Sequence, residues 1–432
     1  MIDIKYIREN PTLIVERYTG KGHDLAADIA DIIRLDGERI AAASHVDTMR
    51  AERNAKSKLV PQLKAKGQDA TALLAEMKIL ADQIKEEEDK SKLVEEQLTA
   101  LLVALPNLPD PDLAPGGKEA NQTLYTHGEQ QSFDFTPKDH VELCTNLGLI
   151  DYDRGTKLAG SGFVVYSGIG AQLELALLNY FIDFHLKNGY ELTLVPHLLS
   201  YECGFASGQF PKFEDDVFWV SRKEEDTSGH RRFLLPTSET ALVSLHRDEI
   251  LEASDLPRKY VSYTPCFRVE AGNYRAEERG TMRGHQFNKV ELVQYTTPED
   301  SDNAFAQLVD NAESLVKGLG LHFRTVKLAA GDCSDAMART YDVEIYIPSM
   351  GGYKEVSSAS NSRDYQARRA MTRFRREPGA RPEYVHTLNA SGLATSRIFP
   401  ALVEQYQQAD GSIIVPEVLQ KYIGRQVIEA RN

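Results

Sequence analysis

Two runs of apolar residues, recurring every three to four positions, dominate the first quarter of the chain. One passes through Leu35, Ala42, Val46, Met49, Val60 and Leu63. The other passes through Leu73, Met77, Leu80, Ile84, Val94, Leu98, Leu101 and Leu105. Heptad spacing of this kind marks a helix that pairs with another along a narrow seam. The polar residues 67–69 between the runs signal a tight turn. The expected structure is an antiparallel helical hairpin, its second helix roughly 50 Å long at the α-helical rise. The seam is imperfect. Arg39, Arg53, Lys56, Glu87 and Ser91 fall on it, and Pro61 predicts a kink near the tip. A flexible arm is expected, not a rigid rod.

Charge matters because of this arm. The 432-residue chain has a formal net charge of -14, which taken alone argues against nucleic-acid binding, since phosphate contacts need cations. Affinity, however, follows local potential. Between residues 49 and 66 the basic residues are Arg50, Arg53, Lys56, Lys58, Lys64 and Lys66, against a single acid, Glu52. Such a stretch suits a phosphate backbone. A solvated helix face is the commoner meaning of a charge run, and a coiled-coil dimerisation module is a third reading.

The proline-rich segment 106–111, followed by Pro115-Gly116-Gly117, cannot continue a helix. It divides the chain into an expected helical domain, 1–108, and a second domain, 109–432, that mixes short strands with helices. The second domain contains no P-loop signature. The four cysteines, Cys144, Cys203, Cys266 and Cys333, lie far apart, so neither a disulfide framework nor a zinc site is expected. A reducing cytoplasm fits this cysteine usage. No apolar run approaches the length of a membrane span, and the first residues lack the pattern of a signal peptide.

The strongest chemical constellation is Pro265-Cys266-Phe267-Arg268-Val269-Glu270, then a polar loop, then His285-Gln286-Phe287-Asn288-Lys289-Val290-Glu291. Residues two apart on a strand share a face. Arg268 with Glu270, and Phe287 with Glu291, therefore place a fixed cation, two carboxylates and an aromatic ring on one sheet surface. That set grips phosphate, reads an amine and stacks a base. The loop adds Arg275, Arg279 and Arg283. Taken alone, an Arg and a Glu in a hairpin more often form a cross-strand salt bridge. Thr237-Ser238-Glu239 after Pro236 likewise suits a helix start.

Arg268-Val269-Glu270 resembles motif 2 of class II aminoacyl-tRNA synthetases. Residues 170–196 resemble motif 1, and Gly392-Leu393-Ala394-Thr395-Ser396-Arg397 resembles motif 3. Residues 205–213, 245–250, 285–291, 355–358, 366–369, 386–389 and 407–419 are similar to seryl-tRNA synthetases in particular, and the likeness spans the whole chain.

The resemblance implies an α+β protein. Its N-terminal coiled-coil hairpin would bind tRNA through Arg50, Arg53, Lys56 and Lys58. Its catalytic domain would be built on a mainly antiparallel sheet flanked by helices. It also implies a ligase using ATP, Mg²⁺ and L-serine, a cytoplasmic homodimer, and tRNA(Ser), with tRNA(Sec), as acceptor. Arg268 and Arg397 would be the catalytic arginines. ATP and Mg²⁺ would be held by Arg268, Val269, Glu270, Arg283, Phe287, Glu355, Val356, Ser357, Ser358 and Arg397. Serine would be held by Thr237, Ser238, Glu239, Glu291, Asn389 and Ser391.

Several positions depart from the family pattern: Gln172 in motif 1, residues 273–276 in the loop, residues 332–335, Ser396 before the motif 3 arginine, and Pro400, which predicts a kink. Two rivals remain at this stage. One is a ligase that loads a carrier protein, and the other is a catalytically inactive RNA-binding or regulatory paralogue.

Overall fold

The computed structural model describes residues 1–220, 231–270 and 280–430. The chain divides into two compact units, one made of Met1–Thr19 with His23–Pro106 and one of Gly20–Gly22 with Asn107–Asn432.

The first unit contains helices α1 (Ala26–Ala65) and α2 (Thr71–Ala104). Every seam position from Leu35 to Leu105, polar ones included, is buried or half-buried. Val46 and Met49 of α1 cluster with Leu80 and Ile84 of α2. Arg50 pairs with Glu88 while Lys56 pairs with Glu76, so partner numbers fall as α1 advances, an antiparallel register. Gly67, at φ +68°, ends α1 in the left-handed conformation that glycine adopts without strain. The N–H of Gln68 then donates to the Leu63 carbonyl at 3.0 Å. Asp69 opens α2 by accepting from the Thr71 N–H at 2.9 Å. Helix α1 is continuous through Pro61. The carbonyl this proline leaves without an intrahelical donor belongs to Ser57, which is exposed and open to water.

The second unit is built on an eight-stranded sheet. In chain order its strands are β1 (Gln122–His127), β2 (Glu191–Leu192), β3 (Arg258–Phe267), β4 (Gln286–Thr296), β5 (Phe323–Lys327), β6 (Arg339–Ile347), β7 (Gly352–Asn361) and β8 (His386–Ala394). The spatial order is β1-β5-β6-β7-β8-β4-β3-β2. Every neighbouring pair is antiparallel except β2 with β3. Helices α3 (His140–Leu147), α4 (Ile169–Lys187), α5 (Ser301–Gly318) and α6 (Tyr365–Ala370) surround this sheet together with α7 (Thr395–Gln405).

Alternation along the central strands separates core from cleft. Val290, Leu292, Val343, Ile345, Leu388 and Ala390 join Phe181 of α4, Leu308 of α5 and Phe399 of α7 in one large apolar core. The intervening residues Lys289, Glu291, Asp342, Glu344, Asn389 and Ser391 line a cavity on the opposite face. Period-two alternation thus sends one side of each strand into the core and the other into the site.

Two bulges adjust that rule. Between β6 and β7, Val343 pairs with Ser357 but Glu344 pairs with Glu355, so Val356 is the extra residue. Glu355 and Ser358, three apart, would face opposite sides of a regular strand; the bulge turns both toward the cavity. Between β4 and β8, Lys289 pairs with Ala394 and Glu291 with Ser391. Leu393 takes φ +102° there. At Gly392, an added Cβ would lie 2.6 Å from His185 Nε2.

Candidate active site

Three cavities meet at Arg268, of about 490, 430 and 150 Å³. Arg268 follows the last residue of β3, on the face shared by Ser262, Thr264 and Cys266, whose partners on β4 are Glu291, Lys289 and Phe287. Its guanidinium lies 5.2 Å from the Phe287 ring centroid, and its Nε donates to the Pro236 carbonyl at 3.3 Å. Glu270 also faces the cavities, though not for the expected reason. The strand ends at Phe267, and Glu270 reaches the site through a left-handed turn at φ +50°. There its carboxylate accepts from Arg283 Nε at 2.6 Å. Arg275, Arg279 and the variant segment 273–276 lie outside the described residues.

One end of the largest cavity is a pocket of carboxylates. The Asn389 amide donates to Glu239 Oε2 at 3.1 Å and to Glu291 Oε1 at 3.2 Å. Gln366 donates to Glu239 Oε1 at 2.9 Å. The Lys289 ammonium lies 2.5 Å from Glu291 Oε2 and donates to Thr237 Oγ1 at 2.8 Å. Burial, reinforced by the neighbouring Glu291 carboxylate, pushes the Glu239 carboxyl up to about 7. The buried Asn389 Oδ1 has no hydrogen-bond partner among the described residues. A small ligand bearing an ammonium and a hydroxyl would neutralise the carboxylates and satisfy that acceptor.

The opposite end combines arginines with acids. Arg397, in the first turn of α7, donates to the Glu355 carbonyl at 2.6 Å, and its guanidinium lies 3.5 Å from the Glu355 carboxylate. Burial would raise the Glu355 carboxyl. Arg397, the Ser358 hydroxyl, Arg268 and Lys289 outweigh burial and hold it below the ordinary carboxylate range. Asp342 shows the reverse: burial first, then the Glu355 charge, holds it well above that range. The Ser358 hydroxyl donates to Asp342 Oδ1 at 2.7 Å. Two neighbouring carboxyl groups beside a hydroxyl form an oxygen-donor set suited to a hard divalent cation, which would favour ionisation of Asp342.

Of the residues singled out from sequence, Thr237, Glu239, Glu291, Asn389, Ser391, Arg268, Glu270, Arg283, Phe287, Glu355, Val356, Ser358 and Arg397 line these cavities. Thr237 also serves the helix start, accepting from the Glu239 N–H at 3.2 Å. Ser238, Val269 and Ser357 are not brought to the cavity walls. Ser238 is fully buried. The N–H of Val269 donates to the Asp216 carbonyl, and the Ser357 hydroxyl donates to the Ser391 carbonyl at 2.6 Å.

Sequence reasoning missed Lys289, Asp342 and Gln366. Asp342 was within reach, because it alternates with apolar Val343 and Ile345 on one strand. Pro400 does not end α7, which runs from Thr395 to Gln405.

The basic arm is also more balanced than its own sequence suggests. Arg50 pairs with Glu88 at 2.7 Å and Lys56 with Glu76 at 3.0 Å, both across the hairpin. Arg53 and Lys58 make no ion pair among the described residues. Fold-back of α2 supplied acids that the linear reading of residues 49–66 could not count.

An antiparallel sheet with arginines above a stacking ring, and a carboxylate pocket at its far end, is the architecture of a class II aminoacyl-tRNA synthetase core. Residues 218–406 match the family model of the tRNA synthetase class II core domain (G, H, P, S and T), and residues 1–109 match that of the seryl-tRNA synthetase N-terminal domain. Serine–tRNA ligase 2 of Clostridium acetobutylicum is 54% identical over 98% of this chain and 99% of its own length. The serine–tRNA ligase of Chloroherpeton thalassium is 42% identical over 99% and 100%. The crystal structure of seryl-tRNA synthetase from Pyrococcus horikoshii complexed with ATP superposes with a TM-score of 0.93 at 32% identity, covering both chains fully. The chain belongs to the seryl-tRNA synthetase family.

Proposed function

We propose that this chain activates L-serine with ATP and transfers the seryl group to tRNA(Ser), and to tRNA(Sec), acting as a homodimer. The observation that carries this reading is one continuous cleft in which a carboxylate pocket (Glu239, Glu291, Asn389) adjoins Arg268, with Arg397 and Glu355 beyond it. The intact pocket and arginines argue against the inactive-paralogue reading. The division of labour follows the expected boundary, with tRNA binding assigned to residues 1–108 and chemistry to 109–432.

In the first step a serine carboxylate oxygen attacks the α-phosphorus of ATP, and the bond to the bridging oxygen breaks to release pyrophosphate. A carboxylate is ionised near neutral pH, so no general base is needed. Catalysis comes from alignment and from neutralising charge in a preorganised site. Arg268 sits where the carboxylate pocket meets the phosphate end, and so bridges the serine carboxylate and the α-phosphate. The Phe287 face that Arg268 now covers would stack the adenine, with Glu270 beside it. Arg283 and Arg397 would take the outer phosphates. Asp342, Glu355 and Ser358 would hold Mg²⁺, which supplies charge neutralisation on the polyphosphate when bound. In the second step a terminal ribose hydroxyl of tRNA attacks the seryl carbonyl and AMP leaves.

Glu239 and Glu291 would receive the substrate ammonium, and Glu291 with Ser391 the hydroxyl. A site built to pair a hydroxyl rejects the analogue lacking it by a factor of about 10⁴ to 10⁵. The test is serine-dependent ATP–pyrophosphate exchange followed by charging of purified tRNA. Exchange that prefers another amino acid, or none at all, would overturn the proposal.

A further inference from the structure

Arg283 and Arg397 line one cavity from two segments far apart in sequence, and a buried hydrogen bond joins those segments. Pro400 lies inside helix α7. An ordinary residue there would donate its N–H to the Ser396 carbonyl, four residues earlier; proline has no N–H to give. Ser396 is only 6% exposed, so water is not freely available to its carbonyl, and leaving such a group unpaired is costly. The Thr281 hydroxyl takes the vacancy, donating to Ser396 O at 3.0 Å, and Thr281 is itself 4% exposed. Thr281 is two residues before Arg283, and Ser396 immediately precedes Arg397.

A second fastening supports the first. Gly280 sits at φ +70° so close to α3 that an added Cβ would meet His140 Nε2 at 2.8 Å and Val141 Cγ2 at 2.9 Å. His140 in turn is held to α7. Its Nδ1 lies 2.7 Å from Glu404 Oε1, and its backbone N–H donates to the same oxygen at 2.9 Å. The segment carrying Arg283 is therefore bonded to the start of the helix carrying Arg397 and packs against α3, which is bonded near that helix's end.

We propose that Thr281 and Pro400 act as a positioning pair. Pro400 frees the Ser396 carbonyl and Thr281 captures it, which sets the spacing of Arg283 and Arg397 for the outer phosphates of ATP. Neither residue touches substrate. The inference rests on reading those two arginines as phosphate-binding groups, and it makes the two positions conditional on one another. With an N–H at position 400, the Ser396 carbonyl would be satisfied within the helix and the Thr281 hydroxyl would have no work to do.

The test is a mutant cycle in serine-dependent pyrophosphate exchange, with KM for ATP and for serine measured separately and melting curves run on each protein. T281V is expected to raise KM for ATP roughly tenfold, as when a buried carbonyl loses a hydrogen bond, while KM for serine stays within about twofold. T281S should behave as the parent. In the P400A background, where the helix recovers its own bond, adding T281V should change KM for ATP by less than about twofold.

The proposal falls if T281V leaves KM for ATP unchanged, if its effect is equal in both backgrounds, or if both KM values rise together. If T281V does not fold alone, recovery of folding in T281V/P400A supports the tie and failure to recover refutes it. R283A and R397A separate the two claims. If they leave KM for ATP unaltered, the phosphate reading falls and takes this proposal with it. If they raise it and T281V does not, only the tie falls.

Discussion

Lowering the pH should weaken serine binding through Glu239 while leaving ATP binding alone. In the empty site this carboxyl is pushed up to about 7 by burial and by the nearby Glu291 carboxylate. An incoming ammonium is attracted only to the ionised form. The sign follows from the raised value: below it Glu239 is protonated and neutral, so affinity falls as pH falls.

The ionised fraction of a group with a midpoint near 7 drops from about 0.76 at pH 7.5 to about 0.09 at pH 6, so KM for serine should rise roughly eightfold. The serine ammonium and carboxylate keep their charges across that window. The other charged groups around the carboxyl are Glu291, Lys289 and Arg268. On the proposed reading ATP binds at the Arg268–Arg397 end, so its KM is the internal control. E239Q keeps the shape and removes the charge. It should raise KM for serine by roughly 30-fold, from about 2 kcal/mol for a hydrogen bond to a charged partner, and abolish the slope. The assay is pyrophosphate exchange with serine titrated at each pH. A KM for serine that stays flat between pH 6 and 7.5, or a slope retained by E239Q, would refute the reasoning.

Three further outcomes are expected. Replacing Arg50, Arg53, Lys56 and Lys58 together with alanine should raise KM for tRNA in aminoacylation without altering adenylate formation. The R53A/K58A pair should account for more of that loss than R50A/K56A, because Glu88 and Glu76 already offset the latter two; equal losses would remove the ion-pair argument. D342N, which keeps a hydrogen-bonding shape beside Ser358 but cannot ionise, should raise the Mg²⁺ concentration for half-maximal exchange several-fold, and an unchanged Mg²⁺ titration would take Asp342 out of the cation site. S391A should lower the preference for serine over alanine in exchange by about tenfold, the weight of one hydrogen bond of ~1.4 kcal/mol; an unaltered ratio would exclude Ser391 from reading the hydroxyl.

What was legible in the sequence was what is periodic or local. The heptad seam predicted a helical hairpin because helix pairing needs only a stripe recurring along one chain, and each seam residue is at least half-buried. Alternation within β4 placed Phe287 and Glu291 on one face because strand parity is local. The motif likeness brought Asn389, Glu355 and Arg397 into view, although nothing in their own neighbourhoods implied that they would meet.

The sequence by itself therefore determined the α+β class, the hairpin and the family, since these rest on repeats and contiguous motifs. Only the tertiary structure decided which groups share an environment. The bulge at Val356 turns Glu355 and Ser358 to one side, a reversal that parity alone forbids. The return of α2 sets Glu76 and Glu88 against Lys56 and Arg50. The Thr281 hydroxyl reaches the Ser396 carbonyl, to which Pro400 has no N–H to give. The physical reason is common to all three. Charge, burial and hydrogen-bond satisfaction depend on distances through space, and residues remote in sequence come within those distances only when the sheet and helices close.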